Sequence, residues 1–397
     1  MMIKIREKSL NNGLNVLAIK NPAMQGVNAS LYVKSGSCQE ADSNSGISHL
    51  LEHLIFYTII QNSRSNYFPL NLELKALTGR EFTFFEITHH KDCLKDILSV
   101  LFSAVSKAEF NQDLLNNQKS AIEQEIAEDE ENPFSALEKK LDEKIYAKTS
   151  LQLPILGNRK SLSNISFREV EQWHQFFYTP ENMLLAVSGN FDDKKLYSVI
   201  NKTFAKLAAL KNERVSLKRN NQKGTISSQK RRAFDSSYLA IAFPTSFKMG
   251  SRKYFECVLL ANIFDYKFKL IKNKFRNTYD IDIYFHQLLG RGEIRVLTSA
   301  PKTESKELMD KLANEIIAID FSESFFAKAK KLTEKEFLLR EDDLEALSSI
   351  ALYKLSGEKT LQPREEAKII NSIDYPSLKK LQKQLFNKKN CIKAEII

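Results

Sequence analysis

The chain has 397 residues, a formal net charge of +10, 43% hydrophobic residues and 27% charged residues. These fractions are typical of a soluble globular protein, and the length is sufficient for two or more domains with buried cores. No apolar run reaches the ~18 residues of a membrane-spanning helix, and Glu7 interrupts the first residues, which argues against a secretory signal peptide.

Cysteine usage and charge restrict the compartment and the partners. Cys38, Cys93, Cys257 and Cys391 are widely spaced and form no C-x-x-C pair, so we expect free thiols in a reducing compartment and a cytoplasmic protein. The positive charge is compatible with an acidic partner. Because Lys and Asn are frequent along the whole chain, we favour a compositional bias and predict neither a nucleic-acid nor a membrane partner.

The first half contains both strand and helix patterns. Alternating apolar residues predict strands at 12–20 and 27–34, and an aromatic and β-branched stretch predicts a strand at 81–90. Residues 71–77 have helical character and end at a Thr-Gly stop signal. A buried strand is predicted at 182–189. Further helices are predicted at 93–107, 113–131, 134–146, 167–178 and 194–207.

Residues 211–232 are rich in Lys and Arg and almost free of apolar residues, so we predict a basic linker there. It separates an N-terminal domain, residues 1–210, from a C-terminal domain, residues 233–397. The order of predicted strands and helices repeats after the linker. We therefore predict the α+β class, with two similar domains in which helices pack on mostly antiparallel strands.

The motif His49-Leu50-Leu51-Glu52-His53 lies in the predicted helix after the second strand. On a helix, His49 and His53 are one turn apart on the same face, where two imidazoles can bind one metal ion. Zinc accepts such ligands and keeps one position open for water in catalytic sites. Glu52 is positioned to take a proton from that water. The pattern H-x-x-E-H is the inverzincin signature.

Each of these residues also has a purely structural explanation. A single histidine beside an apolar stripe is usually a core residue, but two histidines four residues apart with Glu52 between them favour a metal site. The pair His89-His90 is a poor alternative, because adjacent residues of a strand point to opposite faces. A third ligand is expected on the acidic helix 113–131, where spacing alone does not choose among the carboxylates.

The chain resembles the M16 metallopeptidases, specifically the short two-domain M16B branch that includes mitochondrial processing peptidase subunits and bacterial relatives. The similarity implies that His49, His53 and Glu125 bind Zn²⁺ and that Glu52 is the catalytic general base. It also implies a LuxS/MPP-like metallohydrolase fold, with residues 1–210 as the zinc-binding peptidase domain. The matching segments are 12–16, 33–37, 49–53, 123–126, 131–133, 154–157 and 178–183.

The resemblance implies a zinc-dependent endopeptidase that cleaves unfolded peptides, such as leader or targeting segments, inside a closed chamber. The alternative is a non-catalytic partner subunit of an M16B heterodimer. Relatives hold the substrate carbonyl with an Arg and a later Tyr; Arg276 matches the Arg, but Ile283 replaces the Tyr and Tyr284 follows one residue late. We therefore expect a second M16B-type subunit in a heterodimer, and otherwise a homodimer.

Two further departures from the family concern the metal site and the neighbouring strand. Gln118 stands where relatives often carry a Glu, so it can form a hydrogen bond but adds no charge. The segment that precedes the strand facing the substrate is shortened at Thr78-Gly79. That strand lines the cleft in relatives, so the resemblance does not determine the substrate preference.

Overall fold

The computed structural model describes residues 3–66, 73–106, 110–208, 227–229, 234, 236–271 and 281–397. The chain forms two compact units, each built from several stretches of sequence. Unit 1 comprises Met1–Ile126, Leu153–Lys218 and Arg340–Leu355; unit 2 comprises Ala127–Gln152, Arg219–Leu339 and Ser356–Ile397. The sequence-based limits, 1–210 and 233–397, are continuous stretches and stay a prediction. Of the predicted linker, only Ser227–Gln229 lies within the described residues.

The described strands follow one another along the chain as β1 (Lys4–Ser9), β2 (Asn15–Lys20), β3 (Gly26–Val33), β4 (Glu73–Thr78), β5 (Thr83–His90), β6 (Met183–Gly189), β7 (Ser227–Gln229), β8 (Ser236–Thr245), β9 (Ile281–Leu288), β10 (Arg291–Pro301) and β11 (Ile392–Ile396).

The described α-helices are α1 (Ile47–Asn66), α2 (Leu94–Ser106), α3 (Gln112–Glu131), α4 (Pro133–Ile145), α5 (Arg159–Asn164), α6 (Phe167–Phe177), α7 (Asp193–Lys202), α8 (Arg252–Ile271), α9 (Ser305–Ala318), α10 (Glu323–Leu339), α11 (Leu344–Ser348), α12 (Ala351–Leu355), α13 (Pro363–Ser372) and α14 (Tyr375–Leu385). Among the described residues, none of these helices is long and apolar enough to cross a membrane.

Unit 1 contains a mixed sheet with the strand order β1-β2-β6-β3-β5-β4. The β2–β6 pair is parallel and the other pairs are antiparallel. Helix α2 contacts both α1 and α7, and α1 and α2 contact the sheet. Apolar side chains fill the space between these elements. Leu50, Leu51, Leu54 and Ile55 of α1 are fully buried in this core. The apolar stripe therefore fixes the helix that carries the H-x-x-E-H motif.

A segment from the second half of the sequence, Arg340–Leu355, completes unit 1. Its helix α11 packs against β3 and β6. Ser348 Oγ donates a hydrogen bond to Ser30 Oγ at 2.7 Å, and Ser188 Oγ donates to the carbonyl oxygen of Leu344 at 2.7 Å. Polar groups of the central strands are thus satisfied by residues that are distant in sequence.

Unit 2 contains a second sheet with the strand order β7-β11-β8-β10-β9. The β7–β11 pair is parallel, and the other pairs are antiparallel. Helices α4, α8, α9 and α14 pack against its strands, and α10 and α13 pack against α8. Both units therefore have the predicted α+β class, and the prediction of two similar domains with mostly antiparallel sheets is confirmed.

A buried charged cluster joins α4 to β9 and β10 within unit 2. The side chain of Arg295 is only 3% exposed, and its Nη2 donates to Glu293 Oε1 at 2.5 Å and to Asp142 Oδ1 at 2.6 Å. Glu293 also accepts a hydrogen bond from Tyr146 Oη at 2.8 Å and lies 2.7 Å from Nδ1 of His286. Buried charges are tolerated only with such partners, so these contacts hold α4 on the sheet.

The prediction of a helix at 71–77 is wrong. Glu73–Thr78 forms strand β4, which pairs with β5, while 71–72 lie outside the described residues. Leu74 and Ala76 pack against the core, whereas Leu77 between Ala76 and Thr78 is 49% exposed, as strand alternation requires. Leu, Lys and Ala favour helices in isolation, but pairing with β5 decides the conformation here.

Candidate metal centre

Helix α1 places the two motif histidines side by side. His49 lies in the first turn, because the N–H of Leu50 donates to the carbonyl oxygen of Gly46 at 2.9 Å, and His53 follows one turn later. The two imidazole centroids are 4.6 Å apart, and the ring planes form an angle of 71°. Both rings therefore present a nitrogen atom to the same small region beside the helix.

Glu125 of α3 completes a group of three ligand atoms. Glu125 Oε1 is 3.3 Å from His53 Nε2, and Glu125 Oε2 is 3.7 Å from His49 Nε2. Buried Ile122 and Ile126 anchor this part of α3 in the core of unit 1. The three ligand atoms lie within 4.8 Å of one another, and no second group of this kind occurs in the described part of the chain.

The donor set fits zinc. Two imidazole nitrogens and one carboxylate oxygen form the three-ligand arrangement of catalytic zinc sites, which leaves a position open for water. Burial lowers the pKa of His49 to about 4, so its ring is neutral and able to bind a metal at ordinary pH. A hydrogen bond with His53 lowers the pKa of Glu125, which keeps that carboxyl charged.

Glu52 lies beside these residues but is held by a different partner. Thr78, the last residue of β4, donates its hydroxyl to Glu52 Oε2 at 2.7 Å. Glu52 is 7% exposed, and its Oε2 is 4.0 Å from His49 Nε2. Burial raises the pKa of Glu52 above its ordinary value, which makes the carboxylate a stronger base. Sequence reasoning did not identify Thr78, which was interpreted as a helix stop.

The Nδ1 atoms of His49 and His53 have different surroundings. Gln118 Oε1 lies 3.2 Å from His53 Nδ1, so Gln118 forms its expected hydrogen bond with a histidine of the motif. A partner on the far nitrogen fixes the tautomer and orientation of a ligand histidine. His49 Nδ1 is buried and meets no hydrogen-bond partner among the described residues.

The remaining candidates are separate from this centre. Arg276, the proposed substrate-binding residue, lies outside the described residues. Ile283 is buried, and Tyr284 directs its hydroxyl to Glu138 Oε1 of α4 at 2.5 Å, within unit 2. The alternative metal pair His89-His90 belongs to no metal-binding group in the described ranges.

Comparisons with known proteins identify the family of the chain. The family model "Insulinase (Peptidase family M16)" matches residues 15–159, and the model "Peptidase M16 inactive domain" matches residues 164–333. The chain belongs to the M16 peptidase family. A protease from Helicobacter pylori of known structure superposes on 100% of both chains with a TM-score of 0.90 at 14% identity, which shows a shared fold.

Curated relatives include an uncharacterized zinc protease, YmxG, of Bacillus subtilis, which is 26% identical over 202 residues, 49% of each chain. The mitochondrial-processing peptidase subunit beta of Blastocladiella emersonii is 24% identical over 210 residues, 51% of this chain and 45% of the relative. The chain spans about half the length of the curated relatives it matches.

Proposed function

We propose that this chain is a zinc-dependent endopeptidase that cleaves unfolded peptides. The observation that carries this proposal is the convergence of His49, His53 and Glu125 beside the buried carboxylate of Glu52. The names of the curated zinc protease relatives support the metal, and membership of the M16 family supports the reaction. We propose His49, His53 and Glu125 as the zinc ligands and Glu52 as the general base.

The mechanism follows from the positions of these side chains. His49, His53 and Glu125 would hold the zinc ion, which would supply a Lewis acid for activating water and polarising the scissile carbonyl. The Glu52 carboxylate takes the proton of the attacking water and passes it to the nitrogen of the leaving amine. The hydroxyl of Thr78 keeps this carboxylate turned toward the ligands while the proton moves.

Strand β4 supports an extended substrate. Within the described residues, β4 forms one edge of the sheet in unit 1, and its last residue, Thr78, contacts Glu52. An extended peptide can add to such an edge by backbone hydrogen bonds. A segment bound there passes the proposed catalytic carboxylate, and an unfolded peptide has its backbone N–H and C=O groups available for this pairing. Leader or targeting segments are the proposed substrates.

The proposed third ligand can be tested by metal analysis. Glu125→Gln is expected to weaken zinc binding by more than about 100-fold. Replacing a residue that only contacts a zinc ligand already lowers metal affinity by about 10–100-fold, and loss of a ligand itself costs more. The matched control is Glu128→Gln, which removes an exposed carboxylate from the same helix. Zinc content of the purified variants is the measurement. Full zinc occupancy in Glu125→Gln would show that another residue is the third ligand.

We also propose that a second M16-type chain completes the enzyme. The relative from Blastocladiella emersonii is named as a subunit of a peptidase. In this chain, the hydroxyl of Tyr284 already donates a hydrogen bond to Glu138. Adding a partner that carries an intact Arg and Tyr is expected to raise peptidase activity by about 10²–10³-fold, the contribution of one donor to a developing oxyanion.

In the mixed assembly, Tyr284→Phe is expected to leave the rate unchanged, and assays of the chain with and without the partner provide the measurement. Full activity of the isolated chain, abolished by Tyr284→Phe, would contradict the proposal and indicate a sufficient homodimer.

A non-catalytic partner subunit is the second candidate function. It is favoured by Ile283 at the position of the expected Tyr and by the inactive-domain model that matches residues 164–333. A chain of this kind would bind peptides without cleaving them, with or without a partner. Activity that depends on Glu52 in any assembly rules it out.

A further inference from the structure

The first turn of α1 has no capping side chain of its own. Gly46 accepts the first intrahelical hydrogen bond, from Leu50, and is therefore the N-cap residue, which places His49 at the third helical position. An N-cap side chain normally accepts a hydrogen bond from one of the free N–H groups of the first turn. Glycine has no side chain that can do this.

Position 46 does not tolerate another residue. The φ angle of Gly46 is +96°, a left-handed conformation that side chains rarely adopt. A Cβ at this position would lie 2.8 Å from the carbonyl oxygen of Leu156 and 3.1 Å from Cα of Gly157. The tight approach of the 153–157 loop therefore requires glycine, and the cap must come from elsewhere.

Glu40 provides that cap from the loop before the helix. Its Oε2 accepts a hydrogen bond from the N–H of Gly46 at 2.7 Å, and its Oε1 accepts one from the N–H of Ser48 at 2.9 Å. Glu40 is 6% exposed, so both bonds are shielded from water. One carboxylate thus satisfies two first-turn donors and lies at the positive end of the helix dipole.

The metal centre depends unequally on this cap. His53 lies one turn further into α1 and has Gln118 as a partner on its far nitrogen. His49 lies in the first turn itself, and its buried Nδ1 meets no hydrogen-bond partner in the described segments. Apart from its contacts within the proposed centre, the His49 ring therefore depends for its position on the backbone of the turn that Glu40 closes.

We propose that Glu40 is a positioning residue for the metal centre, which holds the first turn of α1 so that His49 Nε2 converges with His53 and Glu125. This inference rests on the proposed zinc site. Glu40 touches neither substrate nor metal ligand side chains in the proposal. Its effect reaches the centre through the backbone of residues 46–48.

The test compares two capping carboxylates of unit 1. Glu40→Ala is expected to raise the dissociation constant for zinc by about 10–100-fold, measured by competition with a chromogenic chelator. The control is Asp192→Ala, because Asp192 caps α7 by accepting from Lys195 N–H at 2.8 Å and α7 carries none of the proposed ligands. Unchanged zinc affinity is expected there. Equal losses in both variants, or wild-type affinity in Glu40→Ala, would overturn the proposal.

Glu40→Gln provides a graded variant and serves if Glu40→Ala does not fold. Its single carbonyl oxygen retains one of the two acceptors, so an affinity between wild type and Glu40→Ala is expected. Zinc affinity equal to wild type in Glu40→Gln, when Glu40→Ala is unfolded, would indicate a structural role alone and overturn the proposal.

Amide hydrogen exchange of the full chain, stripped of metal by a chelator, separates this inference from the zinc proposal. Glu40→Ala or Glu40→Gln is expected to accelerate exchange in the peptide covering the first turn of α1, whereas Asp192→Ala is not. If the wild-type chain binds no zinc, the proposed function fails, and exchange still reports whether Glu40 holds the turn. Unchanged exchange in the Glu40 variants would overturn the inference even if zinc binds.

Discussion

Replacing Glu52 with Gln is expected to lower the rate of peptide hydrolysis by about 10²–10⁴-fold while zinc remains bound, the range for loss of a positioned general base. The substitution keeps the size of the side chain. It also keeps an oxygen that can accept the hydrogen bond that Thr78 Oγ1 now donates to Glu52 Oε2 at 2.7 Å. It removes the basic carboxylate, so the proton of the attacking water has no acceptor beside the ligands.

The measurement is single-turnover cleavage of an unstructured peptide, with zinc content determined on the same samples. Thr78→Val is the matched comparison, because it removes the hydroxyl that holds Glu52 and leaves the carboxylate in place. A loss smaller than that of Glu52→Gln is expected. Hydrolysis at the wild-type rate by Glu52→Gln would assign the proton transfer to another residue and remove the basis of the proposed mechanism.

Replacing Arg295 with Met is expected to destabilise unit 2 by about 3–5 kcal/mol, the cost of breaking a buried ion pair by removing one partner. Glu293 and Asp142 would then be buried without the guanidinium that contacts both. Although burial favours the neutral carboxyl, the His286 contact and the Arg295 charge hold the pKa of Glu293 below its ordinary value. Loss of Arg295 therefore removes one of the two groups that keep Glu293 charged in this buried cluster.

Urea unfolding monitored by circular dichroism measures this change, and a shift confined to one transition identifies the unit affected. The control is Lys335→Met on α10 of the same unit, since Lys335 is exposed and a change within about 0.5 kcal/mol is expected for a surface position. Similar small effects of both substitutions would show that the cluster does not hold α4 on the sheet.

Local patterns in the sequence predicted the elements whose side chains alternate with a clear period. Strands β2 and β3 overlap the predicted strands 12–20 and 27–34, although both faces of each strand are buried, and the apolar stripe of α1 is buried as expected. The pairing of His49 with His53 follows from one helical turn and needed no tertiary information. Glu125 was selected by resemblance, and the structure places its Oε1 3.3 Å from His53 Nε2.

Features that depend on contacts between distant segments could not be predicted. Strand β4 is a strand because it pairs with β5, and its Leu, Lys and Ala residues carry no strand signal of their own. The contact of Thr78 with Glu52 depends on that pairing. Glu40 was missed for a related reason: its two acceptors become a cap only when the loop folds back on the start of α1.

The return of Arg340–Leu355 to unit 1 has a consequence for biosynthesis. A ribosome makes the chain from the N-terminus, so His49, His53 and Glu125 are made long before the segment Arg340–Leu355. Ser348 of that segment donates a hydrogen bond to Ser30. Unit 1 therefore cannot reach its final packing until most of the polypeptide has been translated. The proposed ligands are made early, and the fold that supports them is completed only after Leu355 has been translated.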